Sequence, residues 1–333
     1  MYATVLSLRD DDPSTLTTAH PAKATRLQLA LGFLCIYVVW GSTYLAIRVG
    51  VSTIPPFVLG AVRFLIAGGG LYAFVRWRGA AKPTALEWRN TAIVGALLLF
   101  VGNGAVAWSE QRVSSGMASL IVSTVPLWLV LCEVVQGQRP GLTKWLGVAL
   151  GLAGVGLLVL PADGSFKSAA VEPVGAAVLA MGSLSWTIGS LFSRTATLPK
   201  PATLAISMQM LSAGALLLLL SLFSGELVAF RPEAVSSASL MALLYLIVFG
   251  SLLGFTTYMW LLRVTTPTAV GTYAYVNPVV AVLLGVVFAG ERLPPQAFLA
   301  TMVIVSGVAM VSLGGQVVPL IRGMRESFVG RRP

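Results

Sequence analysis

VTTPTAVGTYAYVNPVVAVLLGVVFAG, residues 264–290, runs for 27 positions without a charged side chain. A helix rises about 1.5 Å per residue, so roughly 20 mostly apolar residues cross a hydrocarbon core about 30 Å thick. This stretch is long enough to do so. Eight more charge-free windows, each at least 18 residues long, lie at 27–47, 90–109, 113–132, 145–162, 173–193, 201–225, 234–262 and 293–321. A tenth candidate, Phe57 to Val75, is interrupted only by Arg63. Charged residues make up 10% of the 333, where a soluble domain carries about 25%. The reading is an all-α integral membrane protein of ten transmembrane helices with no separate soluble domain.

The net charge of +10 bears on orientation, because cytoplasmic loops of membrane proteins collect Lys and Arg. With the N-terminus inside, 16 basic residues fall on inside segments and 5 on outside segments, and Arg63 lies within a span. Both termini are therefore expected in the cytoplasm, and no nucleic-acid partner is expected. The first 26 residues, with Asp10, Asp11 and Asp12, read as a solvated tail without the apolar core of a signal peptide. Cys35 and Cys132 lie within predicted spans and the only histidine, His20, is in the tail. No metal site and no cofactor is expected.

The halves repeat weakly. WGSTYLAIR (40–48) aligns with WTIGSLFSR (186–194) at an offset of 146, and RVSSGMA (112–118) with RVTTPTA (263–269) at 151. The expected organisation is a tail (1–26), a first five-helix repeat (27–162), a second (173–314) and a basic tail (315–333). Because five is odd, the second repeat enters the membrane in the opposite sense. Inverted repeats place a substrate site near the midplane between them.

Pro126 and Pro278 occupy the middle of the fourth and ninth spans. Each removes a helical hydrogen bond, and paired breaks at matching positions point to a transport site. Polar and aromatic residues gather near them: Tyr273, Tyr275 and Asn277 in the ninth span, Trp40 and Tyr44 in the first, Trp186 and Ser190 in the sixth. Such a box suits an amphipathic organic solute, since rings supply area and hydroxyls fix orientation. The same residues also suit simple helix packing. Arg63 offers a cation for a substrate carboxylate, with Asn103 a possible neighbour, or else snorkels outward or pairs with Glu110. Gly147 with Gly151, and Gly250 with Gly254, read as close-packing pairs. No Asp or Glu lies deep in a span, which favours facilitated diffusion or exchange over a proton relay.

WGSTYLAIRVG (40–50), RFLIAGGG (63–70), SSGMASLIVSTVPLW (114–128) and TYAYVNPVVAVLLGVVFAGERL (272–293) resemble the EamA family of the drug/metabolite transporter superfamily over about 27–314. The resemblance implies a ten-helix fold with a central cavity and export of small organic metabolites such as amino acids, or drugs, across a bacterial inner membrane. One departure is visible: the Gly-Glu pair after the fourth span reads Gly137-Gln138, while Gly290-Glu291 is kept. The combined expectation is a secondary exporter working by alternating access, without catalytic residues, with the bilayer and a small solute as partners and a monomer favoured. The rivals are an integral-membrane enzyme on lipid-linked substrates and a passive channel. The first needs clustered Asp, His or Glu at a membrane face, and the second rings of charge or a carbonyl filter. The sequence offers neither.

Overall fold

A computed structural model describes residues 24–159, 171–265, 267–270, 272–291 and 296–311. The tails expected at 1–26 and 315–333 fall outside these residues, apart from positions 24–26. Among the described residues there is no strand. Eight helices are long and apolar enough to cross a membrane, and Val276–Ala289 and Gln296–Val311 are shorter apolar helices.

The elements follow the sequence in order. α1 (Arg26–Gly50) starts in a capping box, where Thr25 and Gln28 exchange side-chain and backbone hydrogen bonds. α2 (Pro56–Trp77) starts with a proline at its first position. The third segment begins as α3 (Ala85–Gly95), capped by Thr84 and Glu87, becomes a π-helix over Ala96–Asn103 and ends as α4 (Gly104–Ser109). The fourth is split into α5 (Ser115–Val122) and α6 (Val125–Val135). α7 (Leu142–Val159), α8 (Pro173–Thr195) and α9 (Ala202–Phe223) are each continuous. The short α10 (Glu226–Ala229) leads to the eighth segment: α11 (Ser237–Tyr245), a π-helix over Leu246–Leu253, and α12 (Gly254–Val264). α13 (Pro267–Val270), α14 (Tyr273–Ala289) and α15 (Gln296–Val311) close the chain.

The connections sort onto two ends of the bundle. At the far end, reached by α1 at Gly50, Glu226 accepts from the Phe57 amide at 2.9 Å and Thr53 donates to the Ser239 hydroxyl at 2.7 Å. At the near end, Asn90 donates to the Thr197 carbonyl at 3.0 Å, and Lys144 pairs with Glu133 at 2.7 Å.

Packing repeats when the halves are exchanged. α2 lies along α9. α1 packs on α14 and on the eighth segment, while α8 packs on α5 and α6 and on the third segment. The α2–α9 contact is close because of two glycines at equivalent positions. A Cβ on Gly68 would stand 2.9 Å from the Leu211 amide nitrogen and the Ser207 carbonyl oxygen. One on Gly214 would stand 2.9 Å from the Leu65 nitrogen. Without a hydrophobic drive between helices in lipid, small residues that let backbones touch supply the packing energy. Gly147 plays the same part between α7 and α15, where a Cβ would meet the Gly307 carbonyl at 2.7 Å.

Candidate functional site

A cavity lies between the halves, at the crossing of the first, second, third, fourth, sixth, eighth and ninth segments. Trp40, Tyr44, Arg63, Asn103, Trp186, Tyr273 and Asn277 all line it. Trp40, Tyr44 and Ile47 share one face of α1 at spacings of four and three, which aims all three at the same space. Thr43, Ser119, Ser123 and Ser183 add hydroxyls to the wall, and Val106 and Val122 add apolar surface.

Tyr273 sits in the wall with tryptophans from both halves. The Trp40 ring meets it edge-on at 5.2 Å, and Trp186 lines the same cavity. Trp40 also meets Phe255 at 5.4 Å and Tyr258 at 5.0 Å. Each tryptophan leans on a glycine of the opposite half. Trp40 presses against the Cα face of Gly254, and a Cβ on Gly102 would stand 3.2 Å from the Trp186 ring. These glycines sit at the ends of the two π-helices, which occupy 96–103 and 246–253 at an offset of 150 residues. A π-helical turn widens the spacing of side chains along a helix and recurs at functional sites. Here it brings Gly102, Asn103 and Ser251 to the site.

Arg63 is buried, at 4% exposure. Its Nε donates to the Ser251 hydroxyl at 2.9 Å and its guanidinium lies 4.8 Å from the Phe64 ring centroid. Gly250 clears space for it, since a Cβ there would stand 3.2 Å from an Arg63 Nη. No carboxylate pairs with Arg63 among the described residues. Asn103 borders the same cavity and, with Arg63, a smaller one behind it against Leu59 and Leu217. With its amide turned to donate, Asn277 reaches the Tyr37 and Tyr273 carbonyls at 3.3 Å. Tyr37 in turn shares a 2.5 Å hydrogen bond with Thr272.

Not every expected residue arrives. Ser190 is absent from the cavity wall, and its hydroxyl donates to the Trp186 carbonyl of its own helix at 2.7 Å. Tyr275 is on α14, but its side chain lies outside the described residues. Pro126 is the second residue of α6, just past a break at Ser123–Thr124, whose hydroxyls donate to the Leu120 and Ile121 carbonyls. At Pro278 the expected break is corrected. α14 runs unbroken through it from Tyr273, and Pro278 itself lines the cavity. Pro278 removes the bond to the Ala274 carbonyl, in the first turn of α14. Gly250 and Gly254 pack closely as expected: both face α1, where a Cβ would meet Thr43 at 3.0 Å and Trp40 respectively, and Gly250 clears space for Arg63 as well.

The π-helices, Ser251 and Phe255 went unread in the sequence. The available signal was the spacing of Gly102 and Gly254, 152 residues, close to the repeat offset of 151 read from RVSSGMA and RVTTPTA. Among the described residues no three His, Cys, Asp or Glu side chains come together to hold a metal.

A model of the EamA-like transporter family matches the chain twice, over residues 28–160 and 173–313. The chain belongs to the EamA-like transporter family. It is 41% identical over 285 residues to the protein named "Uncharacterized inner membrane transporter YedA" of Escherichia coli (strain K12), covering 85% of this chain and 90% of that protein. It is 26% identical to Protein PecM of Dickeya dadantii (strain 3937), over 85% of this chain and 93% of the relative. A solved structure described only as "Crystal structure of protein" shares the fold, with a TM-score of 0.57 at 23% identity, over 88% of this chain and 99% of that one. On the EamA membership and the 41% identity, the chain is a multi-pass inner-membrane transporter and not an enzyme.

Proposed function

We propose that this transporter exports small organic metabolites, amino acids or related amphipathic solutes and drugs, by alternating access between two inverted five-helix repeats. Ten spans cross the membrane, both termini are cytoplasmic, the near end of the bundle faces the cytoplasm, and the working unit is a monomer. The observation that carries the reading is the reciprocal construction of the cavity. Trp40 of the first half rests on Gly254 of the second, and Trp186 of the second rests on Gly102 of the first. A wall built from equivalent parts of both halves gives the rocking halves one shared site, which alternating access requires. The two family matches support the repeat, and the excess of basic residues on near-end segments supports the orientation.

In this reading Trp40, Trp186 and Tyr273 enclose the apolar part of the solute. Arg63 takes its carboxylate, and Asn103, Asn277 and Tyr44 orient its polar groups. Efflux of a labelled amino-acid mixture from preloaded proteoliposomes tests it, against protein-free vesicles and Trp40→Ala. The expected result is selective efflux that Trp40→Ala reduces at equal inserted protein. Efflux of no component above protein-free vesicles refutes the amino-acid assignment.

A further inference from the structure

The cavity is roofed at the far end by the next helical turn of three of its walls. Arg48 lies one turn beyond Tyr44, Glu110 one turn beyond Val106, and Ser115 one turn beyond Ser119. Glu291, which follows α14, folds over this roof. Its carboxylate accepts from the Ser115 amide and hydroxyl, each at 2.8 Å, and from the Gly116 amide at 3.3 Å. This latch ties the α1–α14 side of the bundle to the α4–α5 side. The near end cannot form its counterpart. The repeat places Pro267, without an N–H, where Gly116 stands, and Gln138 is exposed in place of Glu291.

Glu110 sits within the roof at 0% exposure, and neither of its carboxylate oxygens has a hydrogen-bond partner among the described residues. The surrounding charged groups do not pair with it among the described residues. Arg48 donates to the Glu110 backbone carbonyl, and no hydrogen bond joins it to the carboxylate. Glu291 and Tyr44 face it as like-charged or neutral groups. Arg112 on its own turn lies 4.1 Å over the Trp108 ring, and Glu172 on α8 caps the Val174 and Gly175 amides. Burial above all, with Glu291 adding and Arg48 opposing, pushes the Glu110 carboxyl well above the usual range. A buried carboxylate without a partner costs far more than a neutral acid. No group of three metal-ligating side chains converges there among the described residues, and a proton is the cation that needs a single oxygen.

We infer that Glu110 is a proton-binding site of the far-end gate: it takes a proton from the far-side solution when the roof seals and returns it to the same side when the roof parts. The inference rests on the transporter reading and its orientation. Since Glu110 has Leu261 as its counterpart in the second half, the site exists at one end only. The sealed state binds one more proton than the parted state. Acid on the far side therefore holds the gate shut, and rising pH opens it from the ordinary carboxylate range upward.

The test places spin labels at Val174→Cys on α8 and Val287→Cys on α14, both exposed, with Cys35 and Cys132 replaced by serine. Pulsed electron–electron distances are read from pH 5 to 9 without any solute. The expected result is a short distance at low pH and a growing long-distance population as pH rises. The ratio of the two should climb by up to about tenfold per pH unit, the slope of one linked proton. Glu110→Gln should keep the short distance throughout, which also shows that the variant folds, and Glu110→Asp should retain the pH response. A single distance at every pH in the parent protein overturns the inference, as does an unchanged response in Glu110→Gln. Because no solute is present, a failed efflux assay and a failed distance titration are separate results.

Discussion

Replacing Arg63 with glutamine separates a binding cation from a structural anchor. The guanidinium carries five N–H donors, and one, on Nε, is committed to Ser251. The remaining four are enough for a two-pronged grip on a carboxylate. A hydrogen bond to a charged group contributes about 1.5–3 kcal/mol, and two on one ligand are not additive, so about 3 kcal/mol is the expected loss. That is about a hundredfold in Kd. Loss of the Ser251 contact also loosens the site, and a plain comparison of variant with parent would mix the two effects. The assay therefore uses two solutes, a transported amino acid and the amine left after removing its carboxylate, as competitors of exchange in proteoliposomes. Binding of the carboxylate solute should fall about a hundredfold in Arg63→Gln while binding of the amine changes little, and Arg63→Lys should fall between. The difference of the two changes isolates the cation–carboxylate term. If both solutes lose affinity equally, Arg63 only holds α2 against the eighth segment.

Gly68→Ala and Gly214→Ala should each destabilise the fold by about 1–3 kcal/mol, because the added Cβ meets backbone rather than a flexible side chain, and thermal unfolding in detergent reads this directly. Gly156→Ala, where a Cβ meets nothing within 4 Å, is the control and should leave the midpoint unchanged. Trp186→Phe keeps an aromatic wall but trims the larger ring, removing about 1 kcal/mol of buried apolar contact with the solute, so solute affinity should fall about fivefold. Equal affinities would show that the indole ring is not used in binding. Asn277→Ala frees the Tyr37 and Tyr273 carbonyls in a low-dielectric wall and should lower the exchange rate per inserted molecule, which a surface-normalised flux assay measures.

The membrane-spanning segments were legible because charge is so costly in hydrocarbon that its spacing alone marks them. Trp40, Tyr44, Trp186, Tyr273 and Asn277 were legible as a group because each shares a helix face with other aromatic or polar residues in an apolar run. The π-helices were not. ALLLFVGN and LIVFGSLL are apolar on every side, so no polar face records whether the turn has 3.6 residues or more. The two prolines looked equivalent in sequence because a proline's effect depends on where its helix starts. Pro126 follows a break in its segment, whereas Pro278 lies within the second turn of a helix that starts at Tyr273. Glu110 went unread as a buried group for a different reason. A charge at the end of a span normally reaches water, whereas this one is fully buried, with Arg48 and Glu291 near it.

The halves are alike at the cavity and unlike at the ends, and that division has a physical basis. A site that must meet the solute from both sides gains from equivalent walls, so Trp40 and Trp186 with Gly254 and Gly102 keep their pairing. The ends face different solutions and are under no such demand. At the near end Pro267 removes the donor and Gln138 removes the charge, so an equivalent latch could not form even if the segments met. At the far end Glu291 holds two amides and a hydroxyl, and a charge-assisted contact of this kind favours the sealed state by more than neutral bonds would. In the proposed export cycle this contact makes the sealed far end the favoured state at low pH without solute, and solute arriving from the near end adds to the free energy that parts the latch.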